Sequence, residues 1–174
     1  MAVLTPPKTL LEVFESLPEG TSCQVINNRL IMSPAPSDPH QKILLKIAVR
    51  LYNYVENKVL GEVRSAPYDV YFNKQNIFQP DIIFIAKDNL HHIHKNGFHG
   101  VPDIVIEILS PGTENYDLGE KKAVYEQYGV KEYFAVNPVT KNVQHFKLVN
   151  NKLIELPAKK GIIHSQLLGN NFTF

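Results

Sequence analysis

The chain has 174 residues, of which 44% are hydrophobic and 20% charged, with 18 Lys and Arg against 17 Asp and Glu. This length suffices for one cored domain, and the composition excludes a disordered, collagen-like or coiled-coil chain. A formal net charge of +1 excludes coating of nucleic acid through global charge, so any such contact must come from a local patch.

No apolar stretch approaches the roughly 18 residues a membrane helix needs. Residues 1–8 lack a charged-then-apolar leader pattern. Cys23 is the single cysteine, which excludes an internal disulfide or a cysteine-rich zinc site. The expectation is one cytoplasmic domain over residues 1–174 that does not enter a membrane.

In chain order, residues 9–17 place Leu10, Leu11, Val13, Phe14 and Leu17 at helical spacing, closed by Pro18 and Gly20. Residues 23–26 and 30–32 read as a hairpin around Asn27-Asn28, residues that tolerate positive φ. After Pro34 and Pro36, with Ser37 or Asp38 as cap, residues 39–55 form an amphipathic helix with Ile43, Leu44, Ile47, Ala48, Leu51 and Val55 on one stripe. Lys42, Lys46 and Arg50 recur on another.

Residues 61–72 turn to a β pattern, followed by a turn at 73–76. The β-branched, apolar runs 79–85 and 102–109 are those of central strands buried on both faces. Between them, residues 88–100 form a polar loop rich in histidine. A helix over 114–128 starts at Thr113 and stops at Gly129. Residues 133–137 make another strand, and 143–148 with 152–156 a closing hairpin around Asn150-Asn151. The pattern is α/β, a mixed sheet with helices on its faces and an N-terminal helix and β-hairpin.

Three charged residues stand where apolar ones are expected. Glu107 interrupts Ile104-Val105-Ile106 and Ile108-Leu109, and a lone ionised carboxylate buried there costs several kcal/mol unless paired or metal-bound. Alternation puts it on one face with Asp103, Val105 and Leu109. Asp81 opens the run Ile82-Ile83-Phe84-Ile85. Two carboxylates on neighbouring strands suit a hard cation such as Mg²⁺; the alternative for each is a water-exposed or arginine-paired strand end, which is the favoured reading for Asp103 beside Pro102. Lys121 shares the inward stripe of its helix with Leu118, Val124, Tyr125 and Tyr128, so it either snorkels outward or meets a carboxylate, Glu107 being within geometric reach.

Gln79-Pro80-Asp81, the stretch from Gly100 to Pro111, Asp117 with Lys121 and Tyr125, and Gly129-Val130-Lys131-Glu132-Tyr133 together resemble the Uma-type family of restriction-endonuclease-like proteins, within the PD-(D/E)XK nuclease superfamily. Met32-Ser33-Pro34-Ala35-Pro36 followed by His40 fits its N-terminal part, and the resemblance runs from about residue 10 to 150. It implies a restriction-endonuclease-like mixed sheet flanked by helices and hydrolysis of phosphodiester bonds in DNA, with Mg²⁺ (Mn²⁺ as substitute) held by Asp81, Glu107 and the main-chain carbonyl of Ile108. The lysine of the (D/E)XK strand is replaced by Leu109, and Lys121 of the following helix takes its catalytic place. His40 and Gln41 are the accessory candidates from the first core helix, and dimerisation to a homodimer is in keeping with the superfamily.

DNA contact is expected from Lys42, Lys46 and Arg50, together with Lys122 and the loop holding Lys95, although such a stripe also makes an ordinary solvated helix face. His91, His92, His94 and His99 invite a transition-metal reading, but their spacing is not that of a rigid helical pair and a mobile polar loop is favoured. Ser110 lacks a nucleophile elbow and shapes a turn. The competing functions are a nuclease-fold DNA-binding or protein-interaction module without useful turnover, and a phosphoesterase for small nucleotides.

Overall fold

The computed structural model describes residues 9–174, so the leader reading of residues 1–8 lies outside the described residues. Thr9 caps the first helix, α1 (Leu10–Glu15), in a reciprocal box with Glu12, and Phe14 is its buried residue. Strands β1 (Cys23–Ile26) and β2 (Arg29–Met32) form the expected hairpin, with Asn27 and Asn28 at φ 47° and 58°. Helix α2 (Asp38–Lys58) starts after Ser37 and runs past the expected end at Val55, to stop at a left-handed Val59.

The run 61–72 is not one strand. It divides into β3 (Gly61–Ser65) and β4 (Val70–Asn73), with a cis Ala66–Pro67 peptide between them, and the two pieces enter different sheets. Strand β5 (Asn76–Phe78) returns beside β4, and β6 (Ile82–Ala86) begins after Pro80, whose missing N–H cannot join a central ladder. The histidine-bearing loop is ordered into a 3₁₀ helix (Lys87–His92) and two short strands, β7 (Ile93–His94) and β8 (Gly97–Phe98).

Strand β9 (Ile104–Ile108) leads to a short helical turn α3 (Glu114–Tyr116), a π-helical turn (Asp117–Lys121) and α4 (Lys122–Tyr128), which ends at Gly129 with φ 90°. Thr113 does not cap this helix with its side chain; its hydroxyl bonds that of Ser110 at 2.9 Å, fixing the turn as expected for Ser110. Strands β10 (Glu132–Val136), β11 (Val143–Val149) and β12 (Lys152–Leu156) follow. The hairpin β11–β12 does not close the fold, because β13 (Ile162–Ser165) and β14 (Asn170–Thr173) add a terminal ribbon.

The central sheet has the order β12-β11-β10-β9-β6-β3, mixed because β9 and β10 run parallel. A second sheet, β2-β1-β5-β4-β8-β7, is separate in its hydrogen bonding but packs against it. Alternation along β6 and β9 sends Ile82, Phe84, Ile104, Ile106 and Ile108 to a core under α2. Ile83, Ile85, Val105 and Leu109 go to a core shared with α4 and the second sheet. Each of these side chains stabilises the fold by roughly 1.5–3 kcal/mol on full burial. Among the described residues, no helix is long and apolar enough to cross a membrane.

Candidate active site

Asp81 precedes β6 and Glu107 lies on β9, and the adjacent pair Ile82 and Ile106 fixes their register. The two ends interlock: the Ile108 amide donates to Asp81 Oδ2 at 2.6 Å, and the Asp81 amide to Glu107 Oε2 at 3.3 Å. Glu107 is 2% exposed, so its charge must be answered inside the protein. Tyr125 of α4 donates its hydroxyl to Glu107 Oε1 at 2.6 Å, and the Lys121 ammonium pairs with the same oxygen.

Lys121 does not snorkel. It is 2% exposed, and its Nζ also donates to Asp117 Oδ1 at 2.9 Å, one helical turn back. Asp117 is buried too, and its main-chain carbonyl accepts from the Tyr133 hydroxyl at 3.0 Å. On the other side His40, buried in the first turn of α2, places Nε2 3.2 Å from Asp81 Oδ2, while its Nδ1 has no partner among the described residues.

Asp81, Glu107, Asp117, Lys121 and His40 line a cleft of about 410 Å³, walled also by the Ser33–Ser37 segment and by Gly112 and Thr113. Gln41 lines the same cleft from an exposed position. The structure therefore brings Asp81, Glu107, Lys121, His40 and Gln41 together. Lys42 and Arg50 are exposed on the opposite face of α2 and Lys46 is half-buried there; none of the three lines the cleft. Lys122 is turned away, its ammonium 3.7 Å from the centre of the Phe146 ring. Asp103 is a structural latch, accepting from the Ala86 amide at 2.7 Å and pairing with Lys131 at 2.7 Å. The histidines of the 88–100 stretch stand apart from the cleft, and that stretch forms a 3₁₀ helix and two short strands where an irregular loop was expected.

Sequence reasoning assigned no role to Asp117 or Tyr125. The signal for both was their spacing of four from Lys121 on the inward stripe, which places all three side chains over Glu107.

The charges set the protonation of the site. Burial pushes the Glu107 carboxyl up to about 7 against the pull of Lys121, and Asp117 and Asp81 push the same way. Burial works against the charged Lys121, but the charges of Asp117 and Glu107 outweigh it and hold the ammonium above its ordinary range. Burial also opposes protonation of His40, yet the hydrogen bond and charge of Asp81, with Glu107 and Asp117 behind, leave it raised.

Among the described residues no three acidic, histidine or cysteine side chains stand ready-spaced as a metal cage. The donor chemistry nevertheless fits a hard divalent cation that keeps waters and substrate oxygens in its shell. Asp117 and Asp81 both stand close enough to Glu107 to act on its charge, and Asp81 Oδ1 has no partner among the described residues.

Residues 11–173 match the model of the Uma2 family, described as "Putative restriction endonuclease". The chain belongs to the Uma2 family. No protein of curated function gave a match. The Uma2 chain is also similar to a solved structure described as a "putative nuclease belonging to DUF820" from Anabaena variabilis ATCC 29413, at 19% identity and a TM-score of 0.74. That likeness covers 94% of this chain and 92% of the other, and it establishes the fold: a nuclease-like α/β architecture, in line with the resemblance read from the sequence.

Proposed function

We propose that this Uma2 protein is a Mg²⁺-dependent endonuclease, active also with Mn²⁺, that hydrolyses phosphodiester bonds in DNA. One observation carries the reading: a buried glutamate on a central strand, clamped by Lys121 and Tyr125 and linked through main-chain amides to the aspartate of the next strand.

Asp81 and Glu107, with the Ile108 carbonyl, are the residues that would hold the cation. Bound there, it supplies charge neutralisation at the scissile phosphate and lowers the pKa of a water. Lys121 contributes a fixed ammonium that orients the attacking water and stabilises charge developing on phosphoryl oxygens, a role favoured by its dry, prearranged setting. Asp117 and Tyr125 are positioning residues, the first holding the lysine and the second the glutamate. His40 fixes Asp81 from α2 and can hold a proton at Nε2 toward the carboxylate. Lys42, Lys46 and Arg50 stand on the opposite face of α2, so any backbone contact they make lies outside the cleft.

The test incubates the purified chain with Mg²⁺ or Mn²⁺ and supercoiled, linear and single-stranded DNA, and with RNA. Metal-dependent nicking that is lost in Asp81→Asn and Glu107→Gln supports the reading. Intact substrates, or variants that cut as fast as wild type, refute it and favour an interaction module.

A further inference from the structure

A second cavity, of about 710 Å³, lies between α1 and the 95–97 loop, and Pro67 and Gln79 line both it and the catalytic cleft. Its size is that of small-ligand sites. Phe14, Tyr68 and Tyr71 give it aromatic walls, and Asp69 and Gln79 give it polar groups.

Those polar groups are prearranged. Gln79 Nε2 donates to Asp69 Oδ1 at 2.8 Å and to the Thr21 carbonyl at 3.2 Å. This orients the amide and leaves Asp69 Oδ2 and Gln79 Oε1 as acceptors with no partner among the described residues. The Tyr68 hydroxyl is buried and also without a partner among them.

The histidine-bearing stretch builds the outer wall. His99 stacks on Tyr71 with ring centres 4.2 Å apart, and His94 sets its ring against His99 at 4.7 Å. Gly97 has φ 139°, and a Cβ there would lie 2.4 Å from the Asp69 carbonyl, so the loop backbone is seated directly on Asp69.

The charge of the cavity selects its occupant. Glu15, Glu19 and Asp69 outnumber Lys95, which disfavours a phosphate and favours a flat group offering hydrogen-bond donors. A guanine pairing edge, with an N–H and an adjacent NH₂, meets two acceptors, and its ring has aromatic side chains to stack on. Gln79 and Asp81 are two residues apart, a span of at most about 7 Å, the scale of a base and its own phosphate.

We propose that this cavity receives an unpaired guanine of the substrate strand, next to the phosphodiester held at Asp81 and Glu107. The inference rests on the nuclease reading and narrows it: the base must leave its stack to enter, so the substrate is single-stranded or locally opened nucleic acid.

Two measurements separate the two claims. Calorimetry titrates guanosine, adenosine and thymidine, all without phosphate, into the full chain. Guanosine should bind at least tenfold more tightly than thymidine and lose at least tenfold in Asp69→Asn, a variant of the same shape, with Tyr71→Leu as a second loss through stacking. Mapping of Mn²⁺-dependent cuts on single-stranded oligonucleotides carrying one guanine should place them beside it, and Asp69→Asn should scatter the positions. Guanosine binding that does not exceed thymidine, or that Asp69→Asn leaves unchanged, overturns the base cavity even if DNA is cut. Guanosine binding as described without any cleavage supports the cavity and overturns the nuclease reading instead.

Discussion

Replacing Lys121 with methionine tests the electrostatic logic of the site most directly. The side chain keeps nearly the same volume and remains suited to its place beside the Phe78 ring, but the ammonium that serves Glu107 and Asp117 is gone. Both carboxylates are then buried beside each other and near Asp81 with no cation. Removing one partner of a buried pair costs about 3–5 kcal/mol, a large part of the roughly 5–15 kcal/mol a domain of this kind has. Protonation of Glu107 limits that cost, since each pH unit below its pKa returns up to about 1.4 kcal/mol. Urea unfolding followed by circular dichroism, in EDTA at pH 8.5 and 5.5, should therefore find Lys121→Met destabilised by about 3–5 kcal/mol at the higher pH and by about 2 kcal/mol less at the lower. A loss below about 1 kcal/mol at pH 8.5, or the same loss at both pH values, would refute the claim that Lys121 compensates the buried carboxylates.

Two further outcomes follow from the same charges. Because the folded-state carboxyl of Glu107 sits near 7 against an ordinary 4.5, the folded protein binds the extra proton between those values, and metal-free stability should fall as pH rises from about 4.5 to 7, by about 3 kcal/mol. His40, also raised, adds loss in the same direction as pH rises through its folded value; Glu107→Gln should flatten most of the slope in pH-dependent thermal melts, and an unchanged slope counts against the assignment. At the far end of the sheet, Glu132 accepts from the Ser165 hydroxyl at 2.5 Å and from the Gln166 and Leu167 amides at 2.7 and 3.1 Å. Burial would raise this carboxyl, but the His145 ring 3.7 Å away and hydrogen bonds from Ser165 and the two amides outweigh it and hold it low, so its contribution is present above the ordinary carboxylate pKa and lost as pH falls through the folded value. Glu132→Ala should cost about 3 kcal/mol and raise hydrogen exchange across β13 and β14; exchange confined to global unfolding would show that the ribbon is held by other contacts.

The carboxylates were legible because they break a pattern. Glu107 is a charge inside an unbroken apolar run, and Asp81 follows a proline that cannot enter the central ladder. Lys121 was legible from the stripe of its helix, which buries one face as the spacing demands. Asp117 was not, since an acidic residue in the first turns of a helix usually answers the helix dipole and points to water. His40 was weakly marked, because its partner is 41 residues away and becomes apparent when the start of α2 meets the start of β6. The division of 61–72 into strands of two different sheets turns on Pro67 and the backbone around it, which side-chain alternation does not register. The ribbon of β13 and β14 was missed because its buried residues, Ile163 and Phe172, are scattered among polar ones and gain their place by packing under α2.

The helical position of the lysine has a structural consequence. Immediately after β9 the residue two beyond Glu107 is Leu109, 5% exposed and packed in the core with Tyr125. Packing at that position ties the strand to α4, and the ammonium that pairs with Glu107 comes from the helix. A lysine on a strand has its register with the glutamate set by the strand itself, whereas one on a helix depends on how that helix sits on the sheet. Two tyrosines hold that relation: Tyr125 joins α4 to Glu107 at 2.6 Å, and Tyr133 of β10 joins the Asp117 carbonyl at 3.0 Å. Between these two ties lies the π-helical turn, an irregularity that recurs at functional sites, and Lys121 is its last residue. The helix is thus pinned on both sides of Lys121, so loss of either hydroxyl should displace Lys121 from Glu107 while leaving the carboxylates where the strands hold them.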